Sequence, residues 1–403
     1  MSALAAEAAR VEPAKWMLRP LAEVADILDS RREPINSKDR ESRHGPIPYY
    51  GATGQVGWID RHIFDEELVL LGEDGAPFLD PRKPKAYAVR GKSWVNNHAH
   101  VLRARAVPTG WLTHYLNFIS YEGLVTGTTR LKLTQGAMRA IQVPVAPERL
   151  MRDTVAEIEK QFSRLDEAVA NLQRVKANLR RQRAAVLRAA VNGTLLGDER
   201  RSDWTATTIG EVGRVISGLT KNPKREGMPR KLPYLRVANV YANELRLDEI
   251  EYIGVADQEL DKLLLREGDL LVVEGNGSPD QIGRVALWDG SIPDCVHQNH
   301  LIKVRFGDRV SPKWAMTWLL SPGGRREIEQ VSSSTSGLHT LSTGKVARLP
   351  MPVPPLAEQH RSVAEVERRL SIVREVEAQV DANLRRAERL RQVVLASHFA
   401  GRN

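Results

Sequence analysis

The chain has a single cysteine, Cys295, in 403 residues. One thiol excludes an internal disulfide and a cysteine-based zinc site. Packing alone must hold the fold, and the expected setting is cytoplasmic. No apolar run is long enough to span a bilayer, and the mean hydropathy is −0.37. The first fifteen residues are alanine-rich, but Glu7, Arg10, Glu12 and Lys15 interrupt them. They lack the apolar core of a secretory signal and read as a poorly ordered tail, 1–15. There is no Gly-x-x-x-x-Gly-Lys-Ser/Thr loop to cradle nucleotide phosphates. Gly275 and Gly277 are too few for a dinucleotide fingerprint, and a turn after a strand explains them better. What is abundant is positive charge, +9 overall with a pI near 9.6. That balance favours a polyanionic partner.

The sequence repeats itself. Trp16 opens a run ending in Ala22-Glu23-Val24, and Trp204 opens one ending in Gly210-Glu211-Val212. Ile47-Pro48-Tyr49 returns as Leu232-Pro233-Tyr234, and Leu68 to Gly75 returns as Leu270 to Gly277. His98 and His100 are echoed by His297 and His300. Trp111 with Tyr115-Leu116 matches Trp314 with Trp318-Leu319. Val143-Pro144-Val145 matches Met351-Pro352-Val353, and Val155-Ala156-Glu157 matches Val363-Ala364-Glu365. The offset grows along the chain while the order is kept. Two copies of one fold with loops of different length give this pattern.

Each copy has a mixed part and a helical part. The mixed parts, 16–146 and 204–354, hold short strand-like runs such as Leu68–Leu71, Val101–Ala104, Leu270–Val273 and Leu301–Val304 between turn clusters. Short helices are expected over Trp111–Leu116 and Trp314–Leu320. The helical parts are 147–192 and 355–400, separated from the second mixed part by a linker over 193–203. Pro147 and Pro355 suit a first turn, and Gly193 and Gly401 suit stops. In the first helix Leu165, Ala168, Leu172, Val175, Leu179 and Val186 recur at coiled-coil spacing. In the second, Val373, Val376, Val380, Ala387, Leu390 and Val394 do the same. Both helices run from acidic-leaning to basic. Antiparallel pairing sets unlike halves together, so an antiparallel coiled coil is expected, although exposed pairs are individually weak. About forty helical residues make a rod of roughly 60 Å. The fold class is therefore α+β: two tandem strand-rich domains alternating with two long paired helices.

The repeated order of these features resembles the specificity subunit of type I restriction–modification enzymes. The likeness extends from Trp16 to Gly401. Its most telling stretch is Ser336-Gly337 and Thr340-Leu341 followed by Leu349 to Gln359. The first half has Gly127-Thr128-Thr129 and Val143 to Pro147, with Leu150-Met151 where the second half has Glu358-Gln359. The resemblance implies two target-recognition domains with internal pseudo-two-fold symmetry, each reading part of a bipartite, asymmetric site in double-stranded DNA. It implies two copies of an adenine methyltransferase subunit docked on the chain. A nuclease-competent system adds an ATP-dependent restriction subunit. S-adenosylmethionine, and ATP with magnesium, would then belong to the partners, and this chain would carry no cofactor and no catalytic residue. The Asn/Asp-Pro-Pro-Tyr run typical of adenine methyltransferases is absent.

The mixed domains offer polar residues of the kind DNA readers use. In the first these are Arg31, Arg32, Lys38, Arg40 and Arg43, then Arg82, Lys83, Lys85 and Lys92, then Thr128, Thr129, Arg130 and Lys132. In the second they are Lys221, Lys224, Arg225, Arg230 and Lys231, then Asn276, Ser278 and Gln281, then Ser334, Ser336 and His339. Lysine and arginine neutralise phosphates, while arginine, asparagine and glutamine can also read base edges. The histidine pairs lack companion ligands and read as structural or DNA-contacting groups, not metal ligands. Cys295 reads as a small buried residue. The rival reading is a coiled-coil DNA-binding or regulatory protein outside restriction–modification, whose basic loops keep it soluble.

Overall fold

The computed structural model describes residues 16–197, 204–275, 281–332 and 340–400. The tail 1–15 and residues 198–203 of the expected linker lie outside these. Two compact units are present: 1–174 with 380–403, and 175–379. The long helices run Glu148–Val191 and Leu356–Phe399, 44 residues each, and each is shared between the units. The division thus cuts through both helices, where the sequence places boundaries at their ends. Among the described residues no helix is long and apolar enough to cross a membrane.

In unit 1 a four-stranded antiparallel sheet has the order Ala25–Ile27, Ala99–Ala104, Leu68–Gly72, Ala86–Val89. Its central strand is Leu-Val-Leu-Leu-Gly and wholly buried, as a strand covered on both faces must be. A second sheet has the order Gly54–Ile59, Ile47–Gly51, Lys92–Val95, Phe64–Asp65, with its middle pair parallel. Met17–Pro20 pairs with Gln142–Val145, the strand that leads into the first long helix.

Unit 2 repeats this plan. Its four-stranded sheet has the order Gly213–Ser217, Leu301–Phe306, Leu270–Val273, Val285–Leu287. Lys231–Leu235 lies between Glu251–Gly254 and a parallel partner, Val296–His297. Thr205–Thr208 pairs with Pro350–Val353 before the second long helix. One hairpin, Val240–Tyr241 with Glu244–Leu245, has no counterpart among the described strands of unit 1. Asn243 turns it with a φ of 57°, a conformation asparagine tolerates better than most residues.

Hydrogen bonds fix the correspondence between the copies. The Glu73 amide donates to the His98 carbonyl, and the Leu133 amide to the Glu73 carbonyl. In unit 2 the Glu274 amide donates to the His300 carbonyl, and the Leu341 amide to the Glu274 carbonyl. Glu73 therefore matches Glu274, and His98 matches His300. This corrects the alignment drawn from glycines by one place, and the pairing of His100 with His300 by two. Uninterrupted apolar runs look alike in either register; only the ladder distinguishes them.

The short helix Thr109–Phe118 buries Trp111, whose indole N–H donates to the Pro144 carbonyl at 2.8 Å. In Pro312–Leu320, Trp314 donates to the Pro352 carbonyl at 2.9 Å. Trp16 meets Trp111 edge-on at 5.1 Å, and Trp204 meets Trp314 at 5.6 Å. Phe399, at the end of the second long helix, completes the unit 1 cluster against Trp111, Tyr115 and Phe118. Val191 joins the matching core of unit 2 at the end of the first long helix. That helix stops at a glycine: Gly193 has a φ of 70°, and the Gly193 and Thr194 amides return to the Ala190 and Ala189 carbonyls.

Within each unit the helices pack antiparallel. In unit 1 Ile158 shares a core with Leu395 and Phe399, and Asp166 pairs with Arg391. In unit 2 Val186, Leu187 and Ala190 share a core with Val366 and Leu370. Burial traces the seams. Leu165, Leu172, Leu179 and Val186 lie on the first, as do Val169 and Lys176 in place of the expected Ala168 and Val175. Val373, Val380, Ala387 and Val394 lie on the second. Val376 and Leu390, expected there, are exposed, and half-buried Glu377, Leu384 and Arg391 stand on the seam instead. At Lys176, Glu377 and Arg391 the seam position is a charged residue that buries its stem, one place after an exposed apolar residue.

Leu395→Ala should therefore cost ~2–5 kcal/mol of stability, the usual range for a buried leucine. Leu390→Ala, at a residue 37% exposed, should stay within about 0.5 kcal/mol. Chemical denaturation of both variants checks this; equal losses would place the seam elsewhere.

Candidate nucleic-acid interface

The basic residues divide by what already holds them. Lys85 is withdrawn from the interface: it is 2% exposed and its ammonium donates to the Asp80 carbonyl at 2.7 Å. Burial lowers its pKa. Arg32 is likewise internal, bonded to Glu73 at 2.7 Å and to the Ala99 carbonyl at 2.8 Å. Arg225 is clasped by both Glu259 oxygens and by the Gly254 and Thr220 carbonyls. Each ties distant segments together and would leave buried acceptors unpaired if it reached for a phosphate.

A second group is exposed or half-buried, and braced. Arg31 pairs with Glu66 and lies over the Phe64 ring. Arg43 forks onto Asp60, and together with Arg61 it lies over the Trp94 ring at 4.8 and 4.9 Å. Arg40 lies over Tyr49. Arg82 pairs with Asp80, Lys221 with Glu251, and Arg230 with Asp257. The third group, Lys38, Lys83, Lys92, Lys224 and Lys231, is exposed and has no ion-pair partner among the described residues. Gln281 is half-buried. Asn276, Ser278, Ser334, Ser336 and His339 lie outside the described residues.

The Thr128–Arg130 segment forms an exposed turn between Val125–Thr126 and Lys132–Leu133. Gly127 makes it, at a φ of 99°; a Cβ there would stand 2.6 Å from the Arg130 carbonyl oxygen. Arg130 bonds Asp74 at 2.7 Å, and His98 bonds the same carboxylate at 2.8 Å. Beneath lies a knot of Asp29, Glu73 and His100, whose ligand-type atoms fall within 4.8 Å of one another. Every one of them is engaged. Asp29 accepts from the Val101 amide and Gln135 and meets the His100 ring at 2.6 Å. The other nitrogen of His100 meets the Leu133 carbonyl. Glu73 takes Arg32 and Lys132. The knot fixes the base of the turn, and Lys132 is part of it. In unit 2 the corresponding His300 bonds Glu274 at 2.9 Å.

Two aromatic residues escaped the sequence reading. Trp58 is 58% exposed and Tyr252 66%. Trp58 stands across from Pro48 and Tyr252 across from Pro233, the prolines of the repeated Pro-Tyr motif. Both lie on edge strands at the same register of their units. The prolines are tolerated because the parallel neighbour begins only at the following tyrosine. The available signal was period-two alternation of exposed Trp58 with buried Ile59, legible only once the strand was placed.

No family model matches the chain. The specificity subunit of the type I restriction enzyme EcoKI from Escherichia coli K12 is 24% identical over 73% of this chain. The alignment spans 65% of that subunit's length, just under two thirds. The EcoDI specificity subunit from Escherichia coli is 22% identical over 96% of this chain and 89% of its own. A solved chain from work on complex assembly and conformational transition of a type I R-M system shares the fold, with a TM-score of 0.69. It is 18% identical and covers 97% of this chain and 99% of its own.

Two histidines, buried His297 and half-buried His114, make stability depend on acid. His297 has neither ring nitrogen hydrogen-bonded, and burial pushes its pKa down from 6.5 to about 4. His114 is pushed to about 4, first by burial and then by nearby His398. A depressed histidine pKa means the unfolded chain takes the proton first, so stability falls as pH drops from about 6.5 toward 4. His297→Leu should flatten the unit 2 part of that fall. Urea midpoints between pH 7 and 4.5 test it; an unchanged slope would rule His297 out.

Proposed function

We propose, from the premise that this chain is a relative of the type I restriction enzyme specificity subunits, that it reads DNA for a modification complex. The observation that carries this reading is the repetition of one strand-rich plan. Each unit presents uncommitted lysines and an exposed aromatic residue. Two such readers with different loops suit a bipartite, asymmetric site in duplex DNA, with the paired helices setting the gap. Lysines without partners supply phosphate contacts and affinity. Arg130 and His98, held by Asp74, are oriented groups of the kind that read base edges. Trp58 and Tyr252 add flat apolar surface that can pack on sugars or wedge at a base step.

The chemistry then belongs to partners. Two adenine methyltransferase subunits dock on the chain, bring S-adenosylmethionine and flip the target base. An ATP-driven restriction subunit, where the system has one, adds translocation and cleavage. The chain itself determines where methylation happens.

Mapping N6-methyladenine across the source genome, with the gene intact and deleted, tests the reading. A two-part, gapped methylated motif should vanish on deletion. Unchanged methylation in a cell whose methyltransferase is active would refute it. In the purified methyltransferase complex, Trp58→Ala should weaken binding about tenfold, or ~1.4 kcal/mol. It should relax discrimination only in the half-site read by unit 1, and Tyr252→Ala should do so only in the other. Titration against duplexes altered in one half at a time measures both.

A further inference from the structure

Unit 2 contains a recess of ≈ 470 Å3 where its two helix segments meet the helix Pro312–Leu320. Leu187, Met316, Leu320, Val363, Val366 and Leu370 supply its apolar lining. Arg183 and Arg374 line it too, and neither has an ion-pair partner among the described residues. The only acid in the lining, Glu367, is taken by Lys313 at 2.8 Å. Thr317 donates to the Lys313 carbonyl of its own helix. The recess thus combines buried and half-buried apolar walls with two guanidinium groups that no internal carboxylate compensates.

In unit 1 a recess of ≈ 410 Å3 remains only at the margin of the corresponding place, beside Gly110, Val155 and Glu159, the counterparts of Lys313, Val363 and Glu367, while the part that answers to Leu370 and Arg374 is filled. The matched tryptophans and the matched Val155 and Val363 set the equivalence, so that Leu370 answers to Phe162, Thr317 to His114, Arg374 to Asp166 and Arg183 to Arg391. Phe162 meets the His114 ring edge-on at 5.4 Å. Arg391 lies over Phe162 at 4.9 Å and pairs with Asp166. A larger ring and an internal carboxylate therefore occupy in unit 1 what stands open and cationic in unit 2.

We propose that the unit 2 recess is an anchor pocket for a segment of the methyltransferase subunit that offers an apolar side chain beside a carboxylate. This rests on the reading that methyltransferase subunits dock here. Charge complementarity selects the occupant: the carboxylate supplies to Arg183 and Arg374 what Asp166 supplies to Arg391, and the apolar side chain takes the place of the Phe162 ring. Anchors of this kind, seated in a desolvated pocket, carry most of an interface's binding energy. The two methyltransferase copies are therefore held unequally. One is anchored in unit 2, and the copy against unit 1 meets a surface where the Phe162 ring and the Asp166 carboxylate already occupy the anchor's place.

The test uses the full chain co-expressed with its methyltransferase, with stepwise dissociation followed by native mass spectrometry and sedimentation. The double variant Leu370→Phe with Arg374→Asp rebuilds the unit 1 plug from parts that already pack in unit 1. The native chain should hold its first methyltransferase about tenfold or more tightly than its second. The double variant should lose that difference by weakening the first step, with its melting temperature unchanged. Phe162→Leu with Asp166→Arg should strengthen the second step. Two unchanged steps in a folded, methyltransferase-binding double variant would overturn the anchor pocket while leaving the function standing. No methyltransferase binding by the native chain would remove the function and the pocket together. A small organic acid retained by the isolated native chain and lost in the double variant would replace the polypeptide occupant and so also overturn it.

Discussion

One hydrogen bond, made twice, governs how each unit is built. An indole N–H from a short helix donates to the carbonyl of the proline next to last in the strand that precedes a long helix, Trp111 to Pro144 and Trp314 to Pro352. A buried carbonyl without a donor is costly, and here the donor is the largest side chain in the core. It fixes where the long helix begins relative to the sheets. The aromatic cluster of Trp16, Trp111 and Phe399, and its counterpart around Trp204, Trp314 and Val191, then determine which late turn of the other long helix completes the core. The antiparallel contact in each unit follows from that closure as much as from charge.

Much of this was legible in the sequence because it depends on large, rare side chains in a repeated order. The tryptophans, the Pro-Tyr pairs and the uninterrupted helical stretches announced two copies of one plan and a long helix after each. Register was less legible. Buried strands such as Leu68–Gly72 are apolar at every position, so Glu73 and Glu274 could be matched only by their ladder partners. The seam was hidden where a charged residue stands on it: Arg391 is half-buried beside exposed Leu390, and only packing shows which of the two faces in. For the interface residues, residue type was visible and commitment was not. Nothing in the sequence distinguishes Lys85, buried on a carbonyl, from Lys83, exposed and unpaired. Nor does the sequence distinguish Arg225, held by Glu259 and two backbone carbonyls, from Arg230 on exposed Asp257.

The copies have diverged where packing leaves room. Asp74 beside His98 in unit 1 becomes Gly275 beside His300 in unit 2, which turns to Glu274 instead. Unit 2 adds a hairpin at Asn243. The sheets that carry these changes keep their strand order. Loop chemistry varies on a shared frame, which is what the proposed reading of two different half-sites requires.

The ribbon pairing Met17–Pro20 with Gln142–Val145, and its twin pairing Thr205–Thr208 with Pro350–Val353, has a consequence for inheritance. Each brings the beginning and the end of a strand-rich domain side by side on one antiparallel ladder. A domain whose two chain ends are neighbours can be lifted out and replaced by another with the same footing, without rethreading the rest. The helices, their caps and the tryptophan bond would remain as a socket. On the proposed function, new DNA targets arise by exchange of whole cassettes between genes, in one recombination step, instead of by gradual change of individual contacts.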